Sequence, residues 1–323
     1  MTASERRITT PVIVLVGPTA IGKTALSLRL AEQFGCEIIS MDSMQVYRRM
    51  DIGTAKVTPE EQAQVAHHLI DIRDPDEQYD AASFVRDCLD SIEAIAGRGR
   101  IPLITGGTGL YLSSLIHGLF TEIQVDESVR EQVKQRLHQQ GRAALYAELM
   151  EVDPASAQRI HPNDTQRLIR GLEIYQASGI PWSEHLRRQR QGAKDYSFDQ
   201  LLLVGLTTER EKLYQRIGLR TEIMMESGLI EEVRGLLAMG YHGGLSSMQA
   251  IGYRHAVGYI QGLYNREQAV ETLIRDTRRY AKRQMTWFKQ YEQMRWYRVD
   301  SPDEVVRELS SALETAAGKQ DND

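Results

Sequence analysis

Residues 12–24 read Val-Ile-Val-Leu-Val-Gly-Pro-Thr-Ala-Ile-Gly-Lys-Thr. Five consecutive apolar, mostly β-branched residues predict a buried parallel strand, and Gly17, Gly22, Lys23 and Thr24 fill the G-x-x-x-x-G-K-[ST] template at its spacing. The stretch Gly17-Pro18-Thr19-Ala20-Ile21-Gly22-Lys23-Thr24 is therefore expected to cradle a phosphate or diphosphate. The glycines let successive backbone N–H groups turn toward an anion, and a helix from Lys23 to about Gln33 aims its positive end at the same place. Lys23 adds a point charge, and the Thr24 hydroxyl is the expected Mg²⁺ ligand. Such a loop specifies phosphate, not which phosphate.

A chain of 323 residues implies either one doubly wound domain with a large insertion or two domains, and 41% hydrophobic with 26% charged residues marks a soluble globular protein. Residues 1–10 are polar, with no apolar signal region, and no stretch approaches a membrane span, so a cytoplasmic location and no membrane partner are expected. Cys36 and Cys88 are too few for a disulfide framework or a Cys-rich zinc site, as suits a reducing compartment. A net charge of −5 argues against a broad basic surface for non-specific nucleic-acid binding. The cations nevertheless cluster, at Arg187, Arg188 and Arg190 and at Arg275, Arg278, Arg279, Lys282, Arg283 and Lys289. Taken alone, each run reads as a solvated face.

Beyond the loop helix, Glu37-Ile38-Ile39-Ser40 predicts a second strand running into Met41-Asp42-Ser43-Met44-Gln45-Val46-Tyr47. Ligands of open α/β sheets sit beyond the carboxyl ends of the strands, which puts Asp42 near the cradle as a working carboxylate or as a helix cap. A loop-rich segment holding Gly53-Thr54-Ala55-Lys56 and His67-His68 precedes a helix from about Ala81 to Ala96. Adjacent histidines point apart and read as structural. Ile101 to Thr105 predicts a third strand, ending in Gly106-Gly107-Thr108-Gly109-Leu110-Tyr111. Motor and switch NTPases carry a Mg²⁺-holding aspartate after such a strand; Thr-Gly-Gly counts against that class and points to close backbone approach to a ligand.

From about Thr121 to Tyr196 the period becomes helical, with Val129, Val133 and Leu137, then Leu145 and Leu149, then Leu168, Leu172 and Tyr175. Leu201 to Leu206 resumes the buried-strand pattern, followed by helices over about 210–225, which carries Arg216 and Arg220, 230–239 and 267–291, and by an edge strand over 296–299. The polar end after Gly318 is expected to fray. The expected fold is α/β, a parallel sheet flanked by helices, with a core of residues 1–120 and 197–323 and an all-helical insertion of residues 121–196.

Several separated motifs agree on one family. Gly17 to Thr24, Asp42 to Tyr47, Gly53 to Lys56, His68-Leu69-Ile70-Asp71, Gly106 to Tyr111, Asn163-Asp164-Thr165-Gln166-Arg167, Ile251-Gly252-Tyr253-Arg254 and Tyr280 to Phe288 resemble, in order, the tRNA dimethylallyltransferases of the P-loop kinase-like fold. Ile21 stands where that family more often has serine or a smaller residue, at a position whose backbone does the binding. No Cys/His finger follows the core, so the resemblance is to the bacterial type.

The resemblance implies transfer of a dimethylallyl group from dimethylallyl diphosphate to the exocyclic N6 amine of the adenosine 3′-adjacent to the anticodon. It implies Asp42 as the base, Lys23, Thr24 and a Mg²⁺ ion as stabilisers of the departing diphosphate, and Arg220 as a further clamp, with Arg216 as its companion. Ser43, Met44 and Gln45 would line the pocket of a flipped acceptor base, with Thr108 near that base. Arg130, Gln166, Arg167, Leu168, Ile169 and Arg170, and Ser247, Met248, Gln249, Ala250, Ile251 and Gly252, would contact the RNA. The insertion would grip the anticodon stem-loop of a monomeric enzyme. Two other readings use the same residues: a small-molecule or nucleoside kinase, whose lid is normally much shorter than this insertion, and an RNA-binding module without catalysis in which Asp42 is only a cap.

Overall fold

The computed structural model describes residues 6–118, 125–191 and 195–320, without the side chains of 189–191 and 316–320. The expected start of the insertion at Thr121 and the Arg190 side chain lie outside the described residues. The chain divides into two compact units, Met1–Leu112 with Asp195–Asp323, and Ser113–Lys194.

The first unit is built on a six-stranded sheet whose paired strands all run parallel. A two-stranded parallel ribbon of β1 (Arg6–Ile8) and β6 (Tyr196–Phe198) stands apart from it. The main sheet takes β2 (Val12–Val16), β3 (Cys36–Met41), β4 (His67–His68), β5 (Ile101–Gly106), β7 (Leu201–Thr207) and β8 (Arg295–Arg298), in the order β4-β3-β5-β2-β7-β8. β2 lies between β5 and β7, and all five of its side chains are fully buried, which is why its sequence runs apolar without alternation. Successive strands leave β2 in both directions, so the crevice past its carboxyl end is the switch point where such sheets bind ligands.

The helix Lys23–Phe34 packs Leu26 and Leu30 onto this sheet, where they join Ile38, Leu103 and Val204. The helix Pro302–Gln320, which no motif announced, completes that core with Val305, Val306 and Leu309, and extends past the expected fraying point at Gly318. A second cluster, with Val46, Tyr47, Met248, Tyr253 and Leu273, joins the segment after β3 to the helices Leu229–Ala238, Tyr253–Ile260 and Arg266–Phe288. His67 and His68, expected in a loop, form the edge strand beside β3, and His68 Nε2 lies 2.8 Å from Glu37 Oε2.

In the second unit, the helices Glu127–Val152, Pro154–Arg159, Thr165–Ser178 and Trp182–Gln191 close over Val133, Leu145, Leu149, Ile160, Leu168 and Leu172. The first is interrupted at Gly141, whose φ of 78° lies outside the helical region. Asp153 caps the second, accepting from the Ser156 N–H, and binds the Ser183 N–H and hydroxyl as well. Tyr196, expected to close the insertion, pairs instead with Arg6 in the ribbon of the first unit. No helix among the described residues is long and apolar enough to cross a membrane.

Candidate active site

The loop between β2 and the helix Lys23–Phe34 is held in shape by side chains from near and distant elements. Lys23 Nζ donates to the carbonyls of Gly17 (2.9 Å) and Pro18 (3.1 Å). Arg216 Nη1 donates to Ile21 O at 2.7 Å, which places this arginine on the loop itself. Gly22 sits at φ 107°, where only glycine is unstrained, and Ala20 at φ 63° carries strain inside the cradle. Burial, and then the charge of Arg220, pushes the Lys23 ammonium down to about 8, with Asp42 opposing. Burial also lowers Arg220 from its usual range, against the same carboxylate. Two half-buried cations facing one acid leave positive charge that an anion could balance.

Two adjoining cavities meet here, of about 270 and 310 Å³. The loop residues Thr19 to Thr24, Arg216 and Arg220 wall the first. The second has Met44, Ile217, Met224, Ile251 and Leu273 as apolar surface and Arg254, Thr277 and Arg283 as polar groups. Thr19, Ala20, Asp42, Thr54, Arg220 and Tyr280 belong to both walls. Asp42 Oδ1 accepts from the N–H groups of Met44 (2.8 Å) and Gln45 (3.3 Å). The aspartate thus does cap the turn, and the same two bonds fix its carboxylate at the boundary of the two cavities. Ser43 is tied across to the glycine-rich turn, its N–H donating to Thr108 Oγ1 at 3.1 Å. Gln45 accepts from the Ser40 hydroxyl (3.2 Å) and donates to Ala55 O (3.3 Å), so its side chain is committed to the loop.

The segments around the cavities are braced by groups that were expected only as parts of motifs. Lys56, 4% exposed at its side chain, donates to Tyr47 O and pairs with Asp51 and Asp71. Glu232 accepts from the N–H groups of Asp51, Ile52 and Gly53 and from the Tyr253 hydroxyl. The helix Arg266–Phe288 divides its cations: Arg283 faces the second cavity, whereas Arg275, Arg278, Arg279 and Lys282 line a separate hollow with Arg210 and Tyr214. Sequence reasoning gave no role to Tyr280, Arg283, Gln284 or Arg254, all of which line these cavities. A signal for Gln284 was present, since it is the one polar residue among the helix's buried positions Ala269, Leu273, Ala281, Gln284 and Phe288.

Expected RNA contacts fare unevenly. Gln249, Ala250 and Ile251 line the second cavity. Ser247 and Met248 are buried, the Ser247 hydroxyl donating to Pro75 O, and Gly252 turns at φ 101° against Gly53, so the side chains of Ser247 and Met248 brace the segment. Leu168 is fully buried in the core of the helical unit, so its side chain offers no surface to RNA. Gln166 is exposed and Ile169 is half-buried against that core. Arg130, Arg167 and Arg170 each pair with an acid three residues away, Glu127 (3.3 Å), Asp164 (3.5 Å) and Glu173 (3.6 Å).

Mg²⁺ fits the donor set in a restricted way. Among the described residues no group of three or more His, Cys, Asp or Glu is placed to hold a metal. Thr24 and Asp42 do line the first cavity, and that suits an ion that keeps several waters and takes most of its ligands from a bound diphosphate.

The sequence profile of the family described as IPP transferase matches residues 45–291. A tRNA dimethylallyltransferase of Desulfotalea psychrophila is 52% identical over 97% of this chain and 99% of its own length, and one of Thermotoga maritima is 44% identical over 94% and 97%. The crystal structure of the tRNA isopentenylpyrophosphate transferase of Bacillus halodurans superposes with a TM-score of 0.69 at 39% identity, over 98% of this chain and 99% of that one. A structure of a eukaryotic dimethylallyltransferase acting on tRNA superposes with a TM-score of 0.68 at 30% identity, over 91% of this chain and 74% of that one. With a family profile over residues 45–291 and near-complete coverage of both this chain and its bacterial relatives, the chain belongs to the IPP transferase family, the tRNA dimethylallyltransferases of bacterial type.

Proposed function

We propose that this protein transfers the dimethylallyl group of dimethylallyl diphosphate to the N6 amine of the adenosine 3′-adjacent to the anticodon in tRNA. The observation that carries the reading is the single carboxylate, Asp42, set where a cavity walled by Lys23, Arg216 and Arg220 meets a second, partly apolar one. Family membership supplies the chemistry that such a pair of cavities serves.

In this reading the diphosphate lies on the backbone N–H groups of the loop, with Lys23 and Arg220 facing the charge that grows as the allylic C–O bond breaks. Lys23 then exchanges its carbonyl partners for phosphate oxygens. Mg²⁺, which Thr24 and the diphosphate would hold, would supply further neutralisation of the leaving group when bound. An adenine amine is a weak nucleophile because its lone pair is delocalised into the ring. Asp42 takes the N6 proton as nitrogen bonds to the allylic carbon, and the two N–H groups on its Oδ1 keep it aimed. The base reaches Asp42 only when flipped from its stack, and Thr108, bonded to Ser43, sits beside that position. Arg130, Arg167 and Arg170 of the helical unit contact the stem-loop.

The test is direct. Purified protein is mixed with an unmodified anticodon stem-loop and either dimethylallyl diphosphate or ATP, and the RNA is analysed by mass. A single mass gain of one dimethylallyl group on the expected adenosine is the predicted result. Phosphoryl transfer from ATP, or binding of RNA without any product, defeats the reading.

A further inference from the structure

The diphosphate cradle and the loops that receive the acceptor base come from different strands, and each is held internally. Lys23 and Arg216 hold the cradle through its own carbonyls, while Asp42 and Thr108 hold the turn after β3 through N–H groups of residues 43–45. One buried side chain spans the two. Gln284, 4% exposed, accepts from the Thr19 N–H of the cradle at 2.9 Å and donates to Gly107 O of the glycine-rich turn at 2.9 Å. Tyr280, one helical turn earlier, hydrogen-bonds both Gln284 and Thr108.

From this we infer that Gln284 is a positioning residue that sets the distance between the donor and acceptor halves of the site. The inference rests on the dimethylallyl-transfer reading. A primary amide fits because the two halves make opposite demands, an acceptor for Thr19 and a donor for Gly107. Glutamate offers two acceptors, methionine neither strong donor nor strong acceptor. The glycine at 107 belongs to the same device. A Cβ there would run into the Gln284 amide and into nothing else at close range, and Gly107 is not in the left-handed region, so alanine is tolerable to the backbone. Each half keeps its own bonds without the brace. Its loss therefore misaligns bound substrates more than it weakens the binding of either, and misplacement of about 1 Å can slow a reaction about 10²-fold.

The full-length protein with Gln284→Glu, Gln284→Met or Gly107→Ala tests this, with the affinity for dimethylallyl diphosphate and for the stem-loop measured separately and transfer followed in single turnover at saturation. The expected result is affinities within about threefold of wild type and transfer about 10- to 100-fold slower. Combining Gly107→Ala with Gln284→Met should be no slower than the slower single variant, since both disable one brace. In Gln284→Glu the rate relative to wild type should rise as pH falls. Protonating the buried carboxyl, among Lys23, Asp42, Arg220 and Tyr280, restores the donor to Gly107. Wild-type transfer in Gly107→Ala and Gln284→Met, a loss confined to donor affinity, or a pH-independent ratio in Gln284→Glu overturns the inference. Should the Gln284 variants fail to fold, Gly107→Ala decides alone. Absence of transfer by the wild-type protein marks failure of the functional reading instead.

Discussion

The cations of the sheet unit and those of the helical unit are held in opposite ways. In the first, Lys23 is turned onto two carbonyls and Arg216 onto a third, and Arg220 and Lys23 share the charge of one nearby aspartate. In the second, Arg130, Arg167 and Arg170 each face a carboxylate of their own helix or its cap at 3.3–3.6 Å, with exposures of 43%, 55% and 35%. Half-buried cations that share a single counter-ion are left with positive charge unbalanced, so the loop is arranged in advance for an anion. An exposed pair costs little to make or to break, so such arginines can exchange a carboxylate for a phosphate. On the proposed function, the difference would separate a site that stabilises developing charge from a surface that grips a polyanion.

The largest effect is expected at Asp42. Asp42→Asn keeps an oxygen for the Met44 and Gln45 N–H groups but removes the base, so single-turnover transfer should fall about 10²–10⁴-fold with RNA and diphosphate binding nearly intact. Transfer at the wild-type rate would reduce Asp42 to the cap it also is.

A second test lies in the helical unit. Leu168→Ala should destabilise that unit by about 2–5 kcal/mol, the usual cost of truncating a buried leucine, seen as a lowered melting transition. Loss of RNA affinity without any thermal shift would restore Leu168 to the RNA surface and blur the contrast between a packed helical core and its charged exterior.

A smaller effect is expected at the cradle's hydroxyl. Thr24→Ala should raise the Mg²⁺ concentration needed for half-maximal transfer, while the loop keeps its shape through Lys23 and Arg216. An unchanged Mg²⁺ titration takes Thr24 out of the metal site.

What the sequence disclosed follows the range of the interactions. The cradle was legible because Gly17 to Thr24 is a local device with a fixed spacing, and β2 because burial on both faces leaves an unbroken apolar run. Leu168 carries two local signals: its helical spacing with Leu172 placed it in the core, where its side chain lies, and its membership of a motif placed it near RNA. The braces were not legible. Gln284 reaches Thr19 and Gly107, and Glu232 reaches Asp51 to Gly53, across sequence separations at which no spacing rule operates. The helix Pro302–Gln320 escaped because it carries no motif, although Val305, Val306 and Leu309 close the core.

The finest test concerns the paired arginines. If Arg167 and Arg170 meet RNA phosphates, each alanine variant should weaken stem-loop binding and flatten its dependence on salt. For every phosphate that is no longer neutralised, the slope of log affinity against log salt becomes shallower by about 0.7–0.9, according to whether the strand is single or paired. Transfer at saturating RNA should change little, because neither residue belongs to the unit that holds Asp42 and the cradle. If instead the pairs with Asp164 and Glu173 exist for the fold, the salt slope stays at its wild-type value and the melting transition falls, by no more than an exposed pair provides, about 1 kcal/mol or less. Glu173 separates the two arginines further. Its side chain is only 9% exposed, so Arg170→Ala leaves a largely buried carboxylate with one partner fewer, whereas Arg167→Ala leaves Asp164 still capping its helix through the backbone N–H of residue 167. Arg167→Ala should therefore show the altered slope with an unchanged melt, and Arg170→Ala the altered slope with a small loss of stability. A wild-type slope in both variants removes these arginines from the proposed RNA surface.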